Sequence, residues 1–415
     1  MRSTPGCLEK MRISVLTNRT LGHGLGGVQI HVDELAHGLS ARGHNVVVLS
    51  TSLPGQAAVV RRDNIEVHYL ANTPSGLYSR AWLRESVAAF DRLHRERPFD
   101  VVLSESLSGS GLIRCFTEIP HLPFLHGLIL EHLVSEFQEI EGVMGALKYP
   151  IIKIPEMIFY TLAHEWFVIK RAKAIAVTTS QTMALIQRWY RVPHGVIKFL
   201  PNWVDMDLFR PDASRRSEMR SGLGIPSEAF VFLMASVLTK QKGVQVGLEA
   251  FASSRSIPNL FLVIVGDGPH RVTLEEQAKA LRVEERVRFV GSVPNPETAN
   301  YYQAADAFLF PTLRREGLPF VLLEAMASGL PAIASQIGGI PEALGDAGCG
   351  FLLPPGDIKA LEARMLQFLE DPRSAKQMGE AARERVKRLY EKAEILARIE
   401  EVCRELVGTR SGWRR

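Results

Sequence analysis

The stretch that decides the fold is Arg315 to Met326, which reads Arg-Glu-Gly-Leu-Pro-Phe-Val-Leu-Leu-Glu-Ala-Met. It follows a β-rich run, Ala307–Phe310, and changes from a polar turn into an apolar run of helical pattern. Pro319 lies near the first helical turn, where proline is tolerated because its missing N–H would be unpaired there anyway. A strand, a turn and a helix in this order are typical of a parallel α/β unit.

Strands and helices alternate in the same way on both sides of this stretch. In the second half of the chain the further β-rich runs are Phe230–Ala235, Leu260–Val265, Val287–Val290 and Ala332–Ser335. In the first half they are Ile13–Thr17, Val46–Leu49, Ile65–Leu70, Val101–Ser104, Leu122–Leu125, Ala174–Thr178 and Val196–Leu200. Runs that are apolar on both faces suit parallel strands buried between helices. Because 415 residues are too many for one ordinary core, we predict two Rossmann-like α/β domains facing each other across a cleft.

The domain bounds follow from composition. Residues 205–224 are polar and rich in Arg, Ser and Gly, so we place the linker there and expect domains at 11–204 and 205–390. Residues 1–10 are expected to be a disordered extension. The last helical pattern, Glu391 to Val407, has apolar residues that need a surface to cover, namely Ile395, Leu396, Ile399, Val402 and Leu406.

Composition excludes several classes of protein. The net charge of +4 is small for this length and gives no case for a nucleic-acid partner. The four cysteines are scattered without a C-x-x-C pair, which favours free thiols in a reducing cytoplasm. Residues 1–10 lack the apolar core of a secretory signal, and no apolar run reaches the ~18 residues that a membrane span needs. We therefore expect a cytoplasmic protein.

The glycine-rich segment near the start of the chain has the spacing of a dinucleotide fingerprint. Gly22 to Gly27 fits G-x-G-x-x-G between a strand and a helix. The acid that would bind a ribose hydroxyl is missing, because the second strand ends in Ser50-Thr51-Ser52. This disfavours an NAD site and hence a dehydrogenase. Two interpretations remain for the glycines, an anion contact at a helix N-terminus and a tight strand-to-helix turn.

The strongest functional signal is the pair of glutamates in the opening stretch. The N–H groups of Leu318 and Phe320 would lie at the positive end of a helix and suit a diphosphate. Glu316 precedes that helix and Glu324 lies within it, so one carboxylate can contact a sugar ring and the other a ribose. The alternative is a pair of exposed surface glutamates. Glu324 argues against it, because a carboxylate within an apolar run is costly unless something binds it.

Two further turns follow strands of the second half. Lys240-Gln-Lys242-Gly243 follows the run ending at Ala235, and a lysine there can neutralise phosphate oxygens. Gly266-Asp267-Gly268-Pro269 follows the next run and lets the backbone approach the same cleft. On spacing alone, a solvated lysine and an ordinary turn remain alternatives.

Taken in order, these motifs resemble glycosyltransferase family 4 over roughly the whole chain from Met11. The residues that carry the resemblance are Gly26-Gly27 with His31, Pro201 to Asp205, Lys242-Gly243, Gly266 to Pro269, and Glu316 with Glu324 eight residues later. The resemblance implies the GT-B fold, with the C-terminal segment 391–415 crossing back onto an N-terminal acceptor-binding domain. The C-terminal domain would bind the nucleotide sugar.

The resemblance also implies a role for each motif. Lys242 would contact the diphosphate, Glu324 the ribose, and Glu316 the sugar. Further donor contacts would come from Gly26, Gly27, Gly266, Asp267, Gly268 and the backbone of Gly317, Leu318, Pro319 and Phe320. His126 resembles the histidine that such enzymes place beside the transferred sugar, although a lone histidine after a strand is more often structural. The catalytic residues would be His126, Glu316 and Lys242.

No metal or other cofactor is expected, because His121, His126 and His132 have neither the spacing nor the carboxylate partners of a metal site. One departure from the family concerns charge. Where the family usually has Gly-Arg, this chain has Ser236 and Val237, and we hypothesise that Lys240 replaces the missing arginine.

The function expected from the resemblance is retaining transfer of a sugar from a nucleotide diphosphate to a glycan, lipid-linked or small-molecule acceptor. A nucleotide-sugar epimerase of similar fold and a non-catalytic sugar-nucleotide-binding protein remain alternatives. Residues 151–173 mix apolar and basic side chains and the chain ends Trp413-Arg414-Arg415, which would suit peripheral contact with the inner membrane face. Internal packing is the competing explanation. The base, sugar, acceptor and oligomeric state are not predicted.

Overall fold

The computed structural model describes residues 10–129, 131, 155, 158, 164–345 and 348–409, so residues 1–9 of the expected extension lie outside it. Its strands are β1 (Arg12–Leu16), β2 (Asn45–Thr51), β3 (Val59–Arg62), β4 (Ile65–Leu70), β5 (Val101–Glu105), β6 (His121–Leu125), β7 (Ile175–Val177), β8 (Ile197–Phe199), β9 (Phe230–Ala235), β10 (Leu260–Val265), β11 (Val287–Gly291), β12 (Ala307–Phe310), β13 (Ala332–Ser335) and β14 (Gly350–Leu353). Its helices are α1 (Gly27–Ala41), α2 (Arg80–Glu96), α3 (Leu112–Cys115), α4 (Trp166–Arg171), α5 (Ser180–Tyr190), α6 (Ala213–Gly222), α7 (Val244–Ser253), α8 (Arg271–Ala280), α9 (Asn295–Ala304), α10 (Phe320–Ala327), α11 (Ile340–Leu344), α12 (Ile358–Glu370), α13 (Pro372–Leu389) and α14 (Lys392–Gly408).

The strands form two separate sheets. The first has the order β3-β4-β2-β1-β5-β6-β7-β8 and is parallel except for β3, while the second has the order β11-β10-β9-β12-β13-β14 and is parallel throughout. In each sheet the chain reverses its direction of winding beside the first strand, at β1/β5 and at β9/β12. Ligands of doubly wound sheets bind at the carboxyl ends of the strands at such a point. The predicted two-domain α/β architecture is confirmed.

Both faces of the second sheet are buried, as the apolar runs predicted. Along β9, Val231 and Leu233 pack into one core cluster with α10, while Phe232 and Met234 pack into another with α7. Successive side chains of a strand point to opposite faces, so a fully apolar strand can pack against a layer of helices on each side.

Part of the segment expected to be a linker is helical. Asp212 caps α6 by accepting hydrogen bonds from the N–H groups of Ser214 and Arg215. Arg220 on this helix is buried and pairs with Asp306 at 2.6 Å, between α9 and β12. The polar composition of α6 therefore reflects a helix that packs on the second domain through an ion pair whose arginine is buried.

The last helix, α14, packs on the first domain. Ile395, Leu396, Ile399, Val402, Cys403 and Leu406 belong to the same buried cluster as β1, β2 and α1. Gly38 of α1 lies directly against Leu396, since a Cβ there would come within 2.4 Å of a leucine methyl carbon. The predicted return of the C-terminal helix is confirmed. Within the described residues, no helix has the length and apolar character to cross a bilayer.

Candidate functional site

Three turns meet at the carboxyl edge of the second sheet. Gly243, in the turn after β9, has φ +71°, and a Cβ there would lie 1.9 Å from the carbonyl oxygen of Pro311 after β12. Gly266, after β10, is equally close to the carbonyl oxygen of Ser236. Only glycine allows backbone to approach backbone at these distances. The turns that carry the predicted lysine, aspartate and glutamate are therefore held together as one surface.

Lys242 and Glu316 face each other on this surface. The Nζ of Lys242 donates to Oε1 of Glu316 at 2.6 Å, and both side chains are partly exposed, at 21% and 15%. Thr312 also lies beside this oxygen, with its hydroxyl 3.4 Å away. The structure thus brings together two residues that are 74 positions apart in the sequence.

The loop after β13 supports Glu316 from behind, and sequence reasoning missed it. The N–H of Gly339 donates to the carbonyl oxygen of Glu316 at 2.9 Å, and a Cβ on Gly338 would lie 2.1 Å from that oxygen. The consecutive glycines after a predicted strand were the signal that could have revealed this contact, because they lie at the same edge of the sheet.

Glu324 is buried within α10, only 3% exposed, and accepts a hydrogen bond from the Tyr302 hydroxyl at 2.9 Å. Burial raises the pKa of Glu324 to about 7, and the negative charge of Glu34 on α1 adds to this, while the tyrosine hydrogen bond opposes it. The sequence indicated that a carboxylate buried at Glu324 needs a partner. It did not identify Tyr302 as that partner, because Tyr302 lies on another helix.

The loop from Gly317 to Phe320 leads into the N-terminus of α10. Pro319 is the N-cap residue and no side chain caps the helix. The first N–H groups of α10 therefore have no partner within the helix and carry its positive partial charge. Asn202, between the two domains, fixes the loop by donating from Nδ2 to the carbonyl oxygen of Leu318 at 2.6 Å.

His126 lies across the cleft from this loop. A Cβ on Gly317 would come within 2.7 Å of the His126 carbonyl oxygen, so the two domains are in contact here. The imidazole Nε2 donates to Glu105 Oε2 at 2.5 Å. The other carboxylate oxygen of Glu105 accepts from Nδ1 of His31 at 2.9 Å. The expectation that His126 has no carboxylate partner is wrong, because Glu105 ends the neighbouring strand β5.

The other two histidines considered for a metal site are His121 and His132, and His121 has no carboxylate partner among the described residues. His121 pairs with the Ser104 hydroxyl at 2.8 Å, and burial lowers its pKa to about 4, whereas His132 lies outside the described residues. Among the described residues, His31, Glu105 and His126 form the one group of three whose potential metal-ligating atoms lie within 4.8 Å of one another.

The remaining predicted donor residues lie at turns. Gly26 precedes α1 in extended backbone, no side chain caps that helix, and Gly27 has open space where a side chain would be. Asp267 is engaged by its own turn, accepting from the N–H of Gly268 at 2.7 Å and from Arg271 at 3.0 Å. The hydrogen bond from Gly268 and the arginine lower the pKa of Asp267. Lys240 is exposed and opens the turn that ends at Lys242.

Both halves of the chain match known family models. Residues 25–208 match the model described as Glycosyltransferase Family 4, and residues 215–385 match Glycosyl transferases group 1. A D-inositol 3-phosphate glycosyltransferase of Streptomyces avermitilis is 30% identical over 379 residues, which are 86% of this chain and 78% of that protein.

A second relative aligns over a shorter region. It is a GDP-mannose-dependent alpha-(1-6)-phosphatidylinositol monomannoside mannosyltransferase of Mycolicibacterium smegmatis, 35% identical over 198 residues, or 46% of this chain. In this alignment the chain spans about half of that relative's length, 52%.

Solved structures resemble the whole fold. A sucrose-phosphate synthase from Thermosynechococcus elongatus superposes with a TM-score of 0.81 at 24% identity, over 96% of this chain and 100% of that one. Anabaena Alr3699/HepE in complex with UDP and glucose superposes with a TM-score of 0.73 at 19% identity, over 95% and 100%.

Two facing Rossmann-like domains, with the last helix returned to the first, place this protein in the GT-B fold class. Within that class the chain belongs to glycosyltransferase family 4.

Proposed function

We propose that the protein is a retaining glycosyltransferase that moves a sugar from a nucleotide diphosphate to a glycan, lipid-linked or small-molecule acceptor. The observation that carries this proposal is the contact between Lys242 and Glu316 at the N-terminus of α10, opposite His126. The site thus combines a cation and helix N–H groups for a diphosphate with a carboxylate for sugar hydroxyls.

The proposed chemistry needs charge stabilisation more than a protein nucleophile. When the bond between the sugar and the diphosphate breaks, negative charge grows on the leaving phosphate and positive charge on the sugar ring. Lys242 and the N-terminus of α10 would hold the growing negative charge in place. The acceptor hydroxyl would attack from the side on which the phosphate leaves and pass its proton to that phosphate, so the anomeric configuration is retained.

The two domains would divide the substrates between them. Residues 205–390 would bind the donor, and residues 11–204 together with α14 would bind the acceptor and contribute Gly26, Gly27 and His126. The relatives support the donor class by their names: the mannosyltransferase is GDP-mannose-dependent, and HepE was solved with UDP and glucose. For this chain we propose that the donor is a nucleoside-diphosphate sugar. A thermal-shift screen of such sugars would identify its base and its sugar, because the true donor stabilises the fold.

The central test is loss of turnover at the lysine–glutamate contact. With the donor found in the screen, Lys242→Ala and Glu316→Gln are each expected to lower the transfer rate roughly a hundredfold, because each removes one charged contact to the transition state. Lys279→Ala, an exposed lysine on α8, is the matched control and should leave the rate unchanged. Near-normal rates in both site variants would refute the assignment. A product formed without any acceptor would indicate an epimerase, and donor binding without turnover a binding protein.

A further part of the proposal concerns the membrane. Most of residues 151–163 and the tail 410–415 lie outside the described residues, but α4 and α5 are described. Trp166 on α4 and Trp189 on α5 are each 48% exposed, and Arg171 and Arg188 on the same two helices are exposed as well. Tryptophan and basic side chains together suit the surface of an anionic bilayer, where a lipid-linked acceptor would lie.

Vesicle flotation tests this contact. The protein should float with phosphatidylglycerol vesicles at low salt, and the double change Trp166→Ser and Trp189→Ser should weaken the binding. Val272→Ser, which removes a 65% exposed apolar side chain from the second domain, is the control. Equal flotation of the double variant and the control would contradict the membrane contact.

A further inference from the structure

A buried carboxylate joins two histidines beneath the proposed sugar site. Glu105, at the end of β5, is 2% exposed and accepts from Nδ1 of His31 and from Nε2 of His126 with separate oxygens. His31 on α1 is fully buried, while His126 keeps 17% exposure toward the cleft. Of these three residues, only His126 can therefore contact a ligand.

The hydrogen bonds determine which nitrogen of each ring carries a proton. Burial alone would raise the pKa of Glu105, but the two imidazoles lower it to about 2, so the carboxylate is ionised and only accepts. His31 Nδ1 and His126 Nε2 must then both be protonated. Burial lowers the pKa of His31, which is therefore neutral, and its Nε2 lies buried without a hydrogen-bond partner in the described part of the chain.

We infer that Glu105 and His31 are positioning residues that hold His126 with its Nε2–H turned inward and its Nδ1 presented to the cleft as a hydrogen-bond acceptor. The inference rests on the proposed function for what His126 contacts, a hydroxyl group of the transferred sugar. With its Nε2–H bound to Glu105, the His126 ring has Nδ1 left to accept a hydrogen bond from such a hydroxyl.

The surroundings of the three residues allow little movement. The His31 ring lies 4.7 Å from His126, 5.0 Å from Phe124 and 5.0 Å from Trp203, measured between centroids. Ser106, directly after Glu105, has φ +48° and is held by its N–H bond to the Phe124 carbonyl oxygen at 2.8 Å. A non-glycine residue in this region is costly and persists only where its surroundings hold it. The carboxylate is thus supported on both sides.

The distances favour hydrogen bonds over a metal ion. In a tetrahedral site with bonds of about 2.0 Å, neighbouring ligand atoms are about 3.3 Å apart. Here the two nitrogen–oxygen distances are 2.9 and 2.5 Å, which are hydrogen-bond lengths. A metal on Nδ1 of His31 would also leave a buried N–H at Nε2 without a partner, whereas ligating histidines almost always have one.

The decisive variant is Glu105→Gln, read by nitrogen-15 NMR of the His126 ring with resonances assigned by their loss in His126→Ala. In the wild-type protein the ring should be the Nε2–H tautomer. The two histidines donate to separate oxygens of Glu105, and the substitution replaces one of these oxygens with an NH2 donor, so the variant should show a mixture of tautomers. The transfer rate at saturating donor should fall about 10- to 100-fold, as when a group that orients a functional histidine is removed. The donor dissociation constant should change less than threefold.

A matched control lies on the same two strands. Ser104→Ala removes a hydrogen bond to another buried histidine, His121, on the opposite face of the sheet. It should lower thermal stability but leave the His126 tautomer and the transfer rate unchanged. If Glu105→Gln does not fold, His31→Phe provides the second variant, because phenylalanine keeps the ring contacts and removes the hydrogen bond from His31 to Glu105. It should broaden or shift the His126 ring signals.

Three outcomes would overturn the inference. The first is a wild-type His126 protonated at Nδ1 and not at Nε2, and the second is an unchanged tautomer in a folded Glu105→Gln variant whose rate has fallen. The third is one equivalent of metal that is lost in Glu105→Gln and is required for transfer. Because the ring signals need neither donor nor acceptor, failure of the transferase proposal would appear separately, as absence of transfer in the wild-type protein.

Discussion

At the scale of single residues, three glutamates of the proposed site differ because of their neighbours. Glu105 lies between two imidazoles, and its pKa falls to about 2 despite burial. Glu324 has only a tyrosine hydroxyl beside it, and burial raises its pKa to about 7. Glu316 is partly exposed and is paired with a lysine. The surroundings thus keep the carboxyl group of Glu105 ionised, whereas they bring the pKa of Glu324 close to neutral pH.

The raised pKa of Glu324 predicts a pH-dependent stability. The folded-state pKa, about 7, lies above the ordinary value, so the folded protein binds this proton more tightly than the unfolded chain. Stability should fall as the pH rises from about 4.5 to 7, by up to about 3 kcal/mol. Glu324→Gln removes this loss, so in urea denaturation it should gain stability over the wild type at pH 8 and little at pH 5. Glu276→Gln, on the exposed face of α8, should give no such difference. An equal effect at both pH values would contradict the prediction.

The absence of the family's arginine predicts a role for Lys240. Ser236 and Val237 carry no charge, and Lys240 is an exposed lysine of the turn after β9. If it shares the diphosphate charge, Lys240→Ala should weaken donor binding about tenfold, the effect of losing about 1.4 kcal/mol. Calorimetric titration with the donor measures this, and Lys240→Arg should retain affinity. Unchanged affinity of the alanine variant would disprove the replacement.

At the scale of elements, the site depends on how closely the turns approach each other. The turns after β9, β10 and β12 touch through glycines, and the turn after β13 supports Glu316 through Gly339. The same applies between domains, where Gly317 lies against the backbone of His126. Small residues are needed here because backbone atoms, and not flexible side chains, fill the space beside them.

Gly317→Ala tests this close approach. The added Cβ would lie 2.7 Å from the His126 carbonyl oxygen and so push the two domains apart at the site. We expect at least a tenfold fall in transfer rate with a change in melting temperature of a few degrees at most. Gly222→Ala at the end of α6, where nothing lies within 4 Å of the new Cβ, should leave the rate unchanged. A normal rate in Gly317→Ala would show that the contact is unimportant for transfer.

At the scale of the whole molecule, the two domains are joined both by the chain itself and by contacts across the cleft. The chain crosses once after β8 and returns before α14, where the N–H of Lys392 donates to the carbonyl oxygen of Val204 at 3.1 Å. The cleft itself is bridged by Glu342, which accepts from both the N–H and the hydroxyl of Ser180 at 2.7 Å. The first crossing lies beside the site, because Asn202 within it donates to the carbonyl oxygen of Leu318.

The returned helix predicts that the first domain depends on the C-terminus. Ile399 of α14 is fully buried in the core of the first domain. Ile399→Ala should therefore cost about 2–5 kcal/mol of stability, and the loss should appear in first-domain signals. Hydrogen exchange of β1 and β2 measures it, and Glu401→Ala on the exposed side of α14 is the control. Protection lost only in the second domain would contradict this packing.

The sequence predicted most of the strands because each is a local apolar run, and it missed two that are not. β3 has exposed arginines on an edge, and β14 begins at a glycine and is followed directly by two prolines, so neither has the pattern of the other strands. The motif residues Lys242 and Glu316 and the glycines were also recognisable from the sequence, because they lie in turns that directly follow predicted strands.

What the sequence by itself determined is the alternation of elements, the two-domain class and the positions of the turns, because these follow from periodicity and local conformation. Only the tertiary structure decided which side chains meet. Glu105 joins His31 and His126 because β5 lies between β1 and β6, and Tyr302 reaches Glu324 because α9 packs beside α10. Strand order and helix packing set these long-range contacts, and with them the charge state of each buried group.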